Sequence, residues 1–242
     1  MIILRLKNIS EKLYKNEIGF LLIFIFFLFM DVSMKFNPET EAFRYLTKPF
    51  ATLLLIGYVY FNASHVQVKR LEMILIALSL FLIGDIVFIN RDNFILFNVA
   101  LLFYLSAKIF FMRCFFNENV FKVSRLMPFL ILSFLYLTTI LYLIFDNLSQ
   151  KYLLQVLVYF FVVQLVALFA FLRAGAVSKF SFIIVFFGVL ISFVSDGVTA
   201  LNLFSNDFHY NGITSIIITI AYGVSQYLIV VGLLNENSEK LV

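Results

Sequence analysis

The chain has 242 residues, 63% of them hydrophobic and 13% charged, with a net charge of +4 and a mean hydropathy of +1.02. A soluble globular domain is nearer half apolar and a quarter charged, so this composition points instead to an integral membrane protein. No basic stripe accompanies the net charge, which excludes a nucleic-acid partner and leaves loop asymmetry as its source.

The apolar runs are continuous, whereas a transmembrane barrel alternates apolar and polar residues in segments of about ten. The expected fold is all-α, a polytopic membrane protein with eight transmembrane helices. Residues 1–17 form a basic leader with Arg5, Lys7, Lys12 and Lys15, and no small-residue cleavage site follows them. The first span is therefore retained and covers 18–34. The next seven are predicted at 47–62, 71–90, 94–116, 126–145, 152–172, 180–204 and 212–234. The second is short, and Lys48-Pro49 opens it, with the proline near the first turn where its missing N–H is harmless. Residues 18–234 thus make one transmembrane domain, and 235–242 a short tail. Trp is absent, so tyrosines must serve any interfacial belt.

Only Lys35, Arg44, Lys48, Arg91 and Lys151 fall in odd-numbered connections, and Lys108 lies mid-span. The remaining Lys and Arg residues sit on the tails and even-numbered loops, so both termini are expected to be cytoplasmic. The lone Cys114 excludes an internal disulfide, and its apolar setting reads as a buried thiol. His65 and His209 lie in separate loops, so no metal and no cofactor are expected.

Polar groups stand out in such spans. A carboxylate inside a span costs on the order of 2.5–3.5 kcal/mol and usually marks function. Asp85 in ALSLFLIGDIVFIN and Asp196 in VFFGVLISFVSDGVTALNLF are two such acids. Their spans run the same way, which places both in the outer half of the membrane. Asp31 and Lys48 lie at a similar depth, and Lys108, Tyr222 and Gln226 near the midplane. Asp31 is close enough to the interface to be read as solvated. Ser192, Asp196 and Thr199 share one face of their helix, as do Thr219, Tyr222 and Gln226. A hydrogen-bonded seam explains the hydroxyls. It explains the aspartates poorly, because Asn would pack as well. Gly84 beside Asp85 permits close helix approach. Lys108 needs a partner at its depth, with Asp85 and Asp196 the obvious ones. Lys48 either snorkels to the interface or pairs with an anion.

The two aspartate segments also align with each other four spans apart, and Tyr104-x-x-x-Lys108 and Tyr222-x-x-x-Gln226 follow in the next span of each half. This weak echo reads as a 4+4 parallel internal repeat with a site between the halves.

In order and spacing, TKPFATLLLI, LSLFLIGDIVFI, GVLISFVSDGVTALNLF and AYGVSQYLIVVGLL resemble the characteristic segments of the YhhN, or lysoplasmalogenase-like, membrane family. The similarity runs from about Thr47 to Leu234. It implies eight helices and hydrolysis of the vinyl-ether bond of a lysophospholipid, without a cofactor. It nominates Lys48, Pro49, Gly84, Asp85, Ser195, Asp196, Asn202, Tyr222 and Gln226. The chain departs from the pattern at Ala107-Lys108-Ile109-Phe110-Phe111, where many relatives carry His, followed three residues later by Tyr.

The chemistry suits paired acids. An enol ether is hydrolysed by protonating carbon and adding water to the oxocarbenium ion, which needs one carboxylic acid and one carboxylate, as in glycoside hydrolysis. Asp85 and Asp196 are the expected catalytic pair. Lys48, Lys108, Ser192, Asn202, Tyr222 and Gln226 are the expected substrate-binding set, with Lys48 toward a lipid phosphate. The expected partner is a lysophospholipid or other amphiphilic lipid, in a bacterial inner membrane, with the oligomeric state open. A proton-coupled transporter and a non-catalytic lipid-binding protein are the alternatives.

Overall fold

The structure, a computed structural model, describes residues 14–36, 39–64, 66–116, 123–205 and 212–236. The leader up to residue 13, Pro38, His65, His209 and the tail beyond Glu236 lie outside the described residues. Among the described residues the chain forms eight α-helices and no strand. They are α1 (Glu17–Phe36), α2 (Arg44–Asn62), α3 (Val68–Phe88), α4 (Phe94–Phe115), α5 (Val123–Phe145), α6 (Gln150–Leu172), α7 (Lys179–Phe204) and α8 (Gly212–Leu234). Seven of the eight are long and apolar enough to cross a membrane, all but α2. Large apolar side chains such as Leu22, Phe29, Leu102, Leu132 and Phe187 cover the exterior. An apolar surface of this extent fits a lipid environment, and the chain is an integral membrane protein.

The helices follow the predicted order, and local chemistry fixes their ends. Asn93 caps α4, its Oδ1 accepting from the amides of Ile95 at 2.9 Å and Leu96 at 3.2 Å. Ser178 caps α7 through the amide of Ser181 at 3.2 Å. Gly175, at φ 83°, makes the turn between α6 and α7 in a conformation that glycine adopts freely.

The second helix corrects the prediction. A 3-10 turn at Glu41–Phe43 leads into α2, which begins at Arg44 rather than Thr47. Pro49 thus lies beyond the first turn, where its ring removes the amide that the carbonyl of Tyr45 would otherwise meet. The charged residues at the start of α2 are the reason: they turn inward, so they do not mark the end of the span. A polar inner face also explains why α2 alone falls short in hydropathy.

Neighbouring helices close into a ring in the order α1–α2–α3–α4–α6–α7–α8 and back to α1. The fifth helix stands outside, packed chiefly on α6 and α7. Within the ring the two most extensive pairs are α3–α4 and α7–α8, the equivalent pair in each half of the expected repeat. In α7–α8, Gly188 faces Leu228 and Ile229 while Gly232 faces Val185 and the carbonyl of Ser181. Each glycine admits the other helix to near backbone contact.

One end of the ring is tied by a buried ionic cluster. Glu236 Oε2, just past α8, meets Arg70 Nη1 of α3 at 2.5 Å and Arg173 Nη2 after α6 at 3.2 Å. Arg173 Nη2 also donates to Ser181 Oγ at 3.0 Å, and Ser181 Oγ donates to the carbonyl of Gly232 at 2.6 Å. Burial pulls the Arg173 guanidinium down to about 10 against the opposing pull of Glu236, so the ion pair only partly offsets its desolvation.

Candidate functional site

The ring encloses a cavity of about 360 Å³ lined by all seven of its helices and by none of the residues of α5. Asp85 of α3 sits against it, fully buried. Its Oδ1 accepts from Tyr104 Oη of α4 at 2.9 Å and meets Lys48 Nζ of α2 at 3.3 Å. Its Oδ2 accepts from Thr52 Oγ1 of α2 and from Tyr222 Oη of α8, both at 3.1 Å. Three hydroxyls and an ammonium therefore surround one carboxylate, which satisfies the rule that a buried charge is paired and hydrogen-bonded. Lys48 and Thr52 are one turn apart on α2, so a single helical face presents both.

Asp196 of α7 lines the same cavity with a separate set of partners. Lys108 Nζ of α4 donates to its Oδ2 at 2.8 Å, and Tyr159 Oη of α6 donates to its Oδ1 at 2.8 Å. Lys108 also donates to Ser192 Oγ at 3.1 Å, one turn before Asp196. At these lengths the contacts are of the charge-assisted kind. The rings of Tyr104 and Tyr222, both on Asp85, lie 6.4 Å apart. The two acid sites thus share one cavity, lined by all three tyrosines.

Partners are exchanged between the halves. Asp85, in the first half, takes a bond from Tyr222 in the second, and Asp196, in the second, takes one from Lys108 in the first.

Gly84 is required by this packing, since a Cβ there would stand 2.8 Å from Cε1 of Tyr104. The close approach expected of Gly84 is thus to the ring that holds Asp85. Gln226 lines the cavity with Nε2 buried and, among the described residues, without a hydrogen-bond partner. Asn202 and Ser195 are also buried on it. Thr199 lines the cavity but donates to the carbonyl of Ser195 in its own helix at 2.7 Å, the bland outcome for a hydroxyl on such a stripe.

Asp31 is not solvated, contrary to expectation. It is 2% exposed, and its Oδ1 accepts from Thr47 Oγ1 at 3.1 Å and Arg44 Nε at 3.4 Å. The earlier start of α2 is the cause, because Arg44 and Thr47 ride on a helix face turned toward α1. Lys48 is likewise drawn inward to Asp85 and does not snorkel.

Sequence reasoning passed over Thr52, Tyr159 and Arg44 and gave Tyr104 no role in the site. Two signals pointed to them. Tyr104 and Thr52 each stand one turn from a lysine already singled out, and Tyr159 lies as far along the chain from Lys48 as Asp196 does from Asp85.

The model of the YhhN family matches residues 43–233, a span that contains both aspartates, both lysines and all three tyrosines. This chain belongs to the YhhN family. No curated protein and no solved structure matches it.

Proposed function

We propose that this YhhN-family protein hydrolyses the vinyl-ether bond of a lysophospholipid, with Asp85 as the general acid and Asp196 as the carboxylate that activates water. One observation carries the reading: two aspartates, each with its own lysine and tyrosine partners, line a single cavity inside the membrane domain.

The roles follow from the differing partners. Asp196 has the shorter ion pair, at 2.8 Å against 3.3 Å, and with a lysine so close it serves as the carboxylate. Asp85 is held chiefly by three hydroxyls, groups that either donate to a carboxylate or accept from a carboxylic acid, so it can carry the proton in both stages of a turnover. Transfer of that proton to the β-carbon of the enol ether forms a C–H bond and leaves an oxocarbenium ion. Water then adds to the α-carbon while its proton passes to Asp196. The resulting hemiacetal collapses: the C–O bond to glycerol breaks, the hydroxyl proton passes to the leaving oxygen, and a fatty aldehyde and a glycerophospho-alcohol separate. The proton taken up by Asp196 is then lost to solvent and Asp85 is reprotonated from solvent, which resets the pair. The division between acid and base is the one that glycoside hydrolysis uses. Gln226 Nε2, which has no hydrogen-bond partner among the described residues, is available to the glycerol hydroxyl or the ether oxygen.

At about 360 Å³ the cavity is near the small end of ligand sites, so it suits a head group and the reactive ether while the alkyl chain passes between helices into lipid. The test is aldehyde release from a lysoplasmalogen by purified protein in detergent, with Asp85→Asn and Asp196→Asn as controls. Activity in wild type and its loss in both variants is expected. A carrier with a proton relay is the competing reading, favoured by the enclosure of the acids within a ring of helices; it predicts no aldehyde from wild type.

A further inference from the structure

Five cations line the cavity, Lys35, Arg44, Lys48, Arg91 and Lys108, against four acids, Asp31, Asp85, Asp92 and Asp196. Lys108 with Asp196, Lys48 with Asp85, and Arg44 with Asp31 make three ion pairs around the lining. Lys35 of α1 lines the same cavity, half-buried, and among the described residues it has neither a hydrogen bond nor an ion pair. Its electrostatic neighbours are the cations Arg44, Arg91 and Lys48 against one acid, Asp31, whose Oδ1 accepts from Arg44 and Thr47 while its buried Oδ2 has no hydrogen-bond partner among the described residues. Among the described residues Arg44 uses only Nε, on Asp31, and its two terminal nitrogens have no acceptor there. Arg91 lines the cavity as well, 5.6 Å from the Phe88 ring that also lies 5.1 Å from Lys48. A half-buried ammonium pressed by like charges is unfavourable unless an anion joins it.

We infer that this part of the cavity lining is an anion subsite for a phosphate group, held by Lys35 and Arg44 with Arg91 beside them. The inference rests on the hydrolase reading above and extends it to the head group. Three cations arriving from α1, α2 and the α3–α4 turn suit a group with several equivalent oxygens arranged in three dimensions. Lys48 belongs to Asp85, so the phosphate role once expected of it falls to these neighbours. A phosphate seated beside Lys48 would present the attached glycerol to Asp85.

The experiment measures binding to the purified protein in uncharged detergent, using a non-cleavable alkyl-ether lysophospholipid, the phosphate-free alkylglycerol of the same chain length, and inorganic phosphate alone. The phosphorylated lipid should bind about tenfold more tightly than the alkylglycerol. Lys35→Gln should remove most of that preference, and Lys35→Arg should keep it. A head-group site predicts little response to inorganic phosphate alone. A thermal shift with phosphate as large as that with the lipid assigns the subsite to a free phosphate. Equal affinity for the two lipids together with no response to phosphate overturns the subsite. Because the ligands are not cleaved, this failure is separable from failure of the chemistry: a protein inactive on lysoplasmalogen that retains the preference keeps the subsite and loses the hydrolase.

Discussion

Replacing Lys108 with Met removes one ammonium and leaves the Asp196 carboxylate facing Tyr159 alone. Breaking one partner out of a buried ion pair costs about 3–5 kcal/mol. The Asp196 side chain keeps 16% exposure toward the cavity, where water can partly replace the lysine, so the lower end, about 3 kcal/mol, is expected. The loss is electrostatic rather than steric, because Met follows the same path as the lysine stem. It should therefore be repaired by neutralising the other partner: Lys108→Met with Asp196→Asn should recover most of the stability, as removing both members of a buried pair is often neutral. Lys108→His, which keeps a nitrogen able to donate to Asp196, should fall between wild type and Met. The molecule supplies its own reporter. Cys114 is the one cysteine and is buried, so labelling by a thiol-reactive fluorophore during a thermal ramp follows unfolding directly. A Lys108→Met protein that melts with wild type, or a double variant no more stable than the single, would refute the pairing.

Three other outcomes are expected. Gly84→Ala should push the Tyr104 ring off Asp85, since the new methyl would lie 2.8 Å from Cε1, and should cut vinyl-ether hydrolysis more than it lowers the melting temperature. Glu236→Gln leaves Arg70 and Arg173 facing each other across the end of the ring and should cost on the order of 3 kcal/mol, read in the same thiol assay; the Arg173→Met, Glu236→Gln pair should lose less. Reporter fusions should place both termini in the cytoplasm, as the Lys and Arg distribution demands, and a periplasmic C-terminus would reverse the orientation.

Much of the fold was legible because bilayer thickness imposes a length that apolar runs record directly. The exception was α2, whose inward face carries Arg44, Thr47, Lys48 and Thr52, so a polar helix start was read as a loop. Asp85 and Asp196 were legible because an acid inside a span is costly and rare. Lys108, Lys48 and Tyr222 were legible among their partners, but Thr52 and Tyr159 were not, since such a residue costs little in an apolar helix and gives no sign of which way it faces. Asp31 was misjudged for the same reason: depth along a span can be counted from sequence, but rotation about the helix axis is set by packing, here by the approach of Arg44 and Thr47 on α2. The ring, with α5 outside, depends wholly on such packing. No periodicity in the sequence distinguishes α5 from its neighbours.

The paired-acid mechanism makes a carbon–hydrogen bond from a solvent-exchangeable proton, and this is its most direct test. Lysoplasmalogen hydrolysed by wild-type protein in heavy water should yield a fatty aldehyde carrying one deuterium on the carbon next to the carbonyl, above the exchange seen for unlabelled aldehyde in the same buffer. Asp85→Asn should release no labelled aldehyde. Aldehyde released without that deuterium, or labelled aldehyde formed at the wild-type rate by Asp85→Asn, would contradict proton delivery from Asp85.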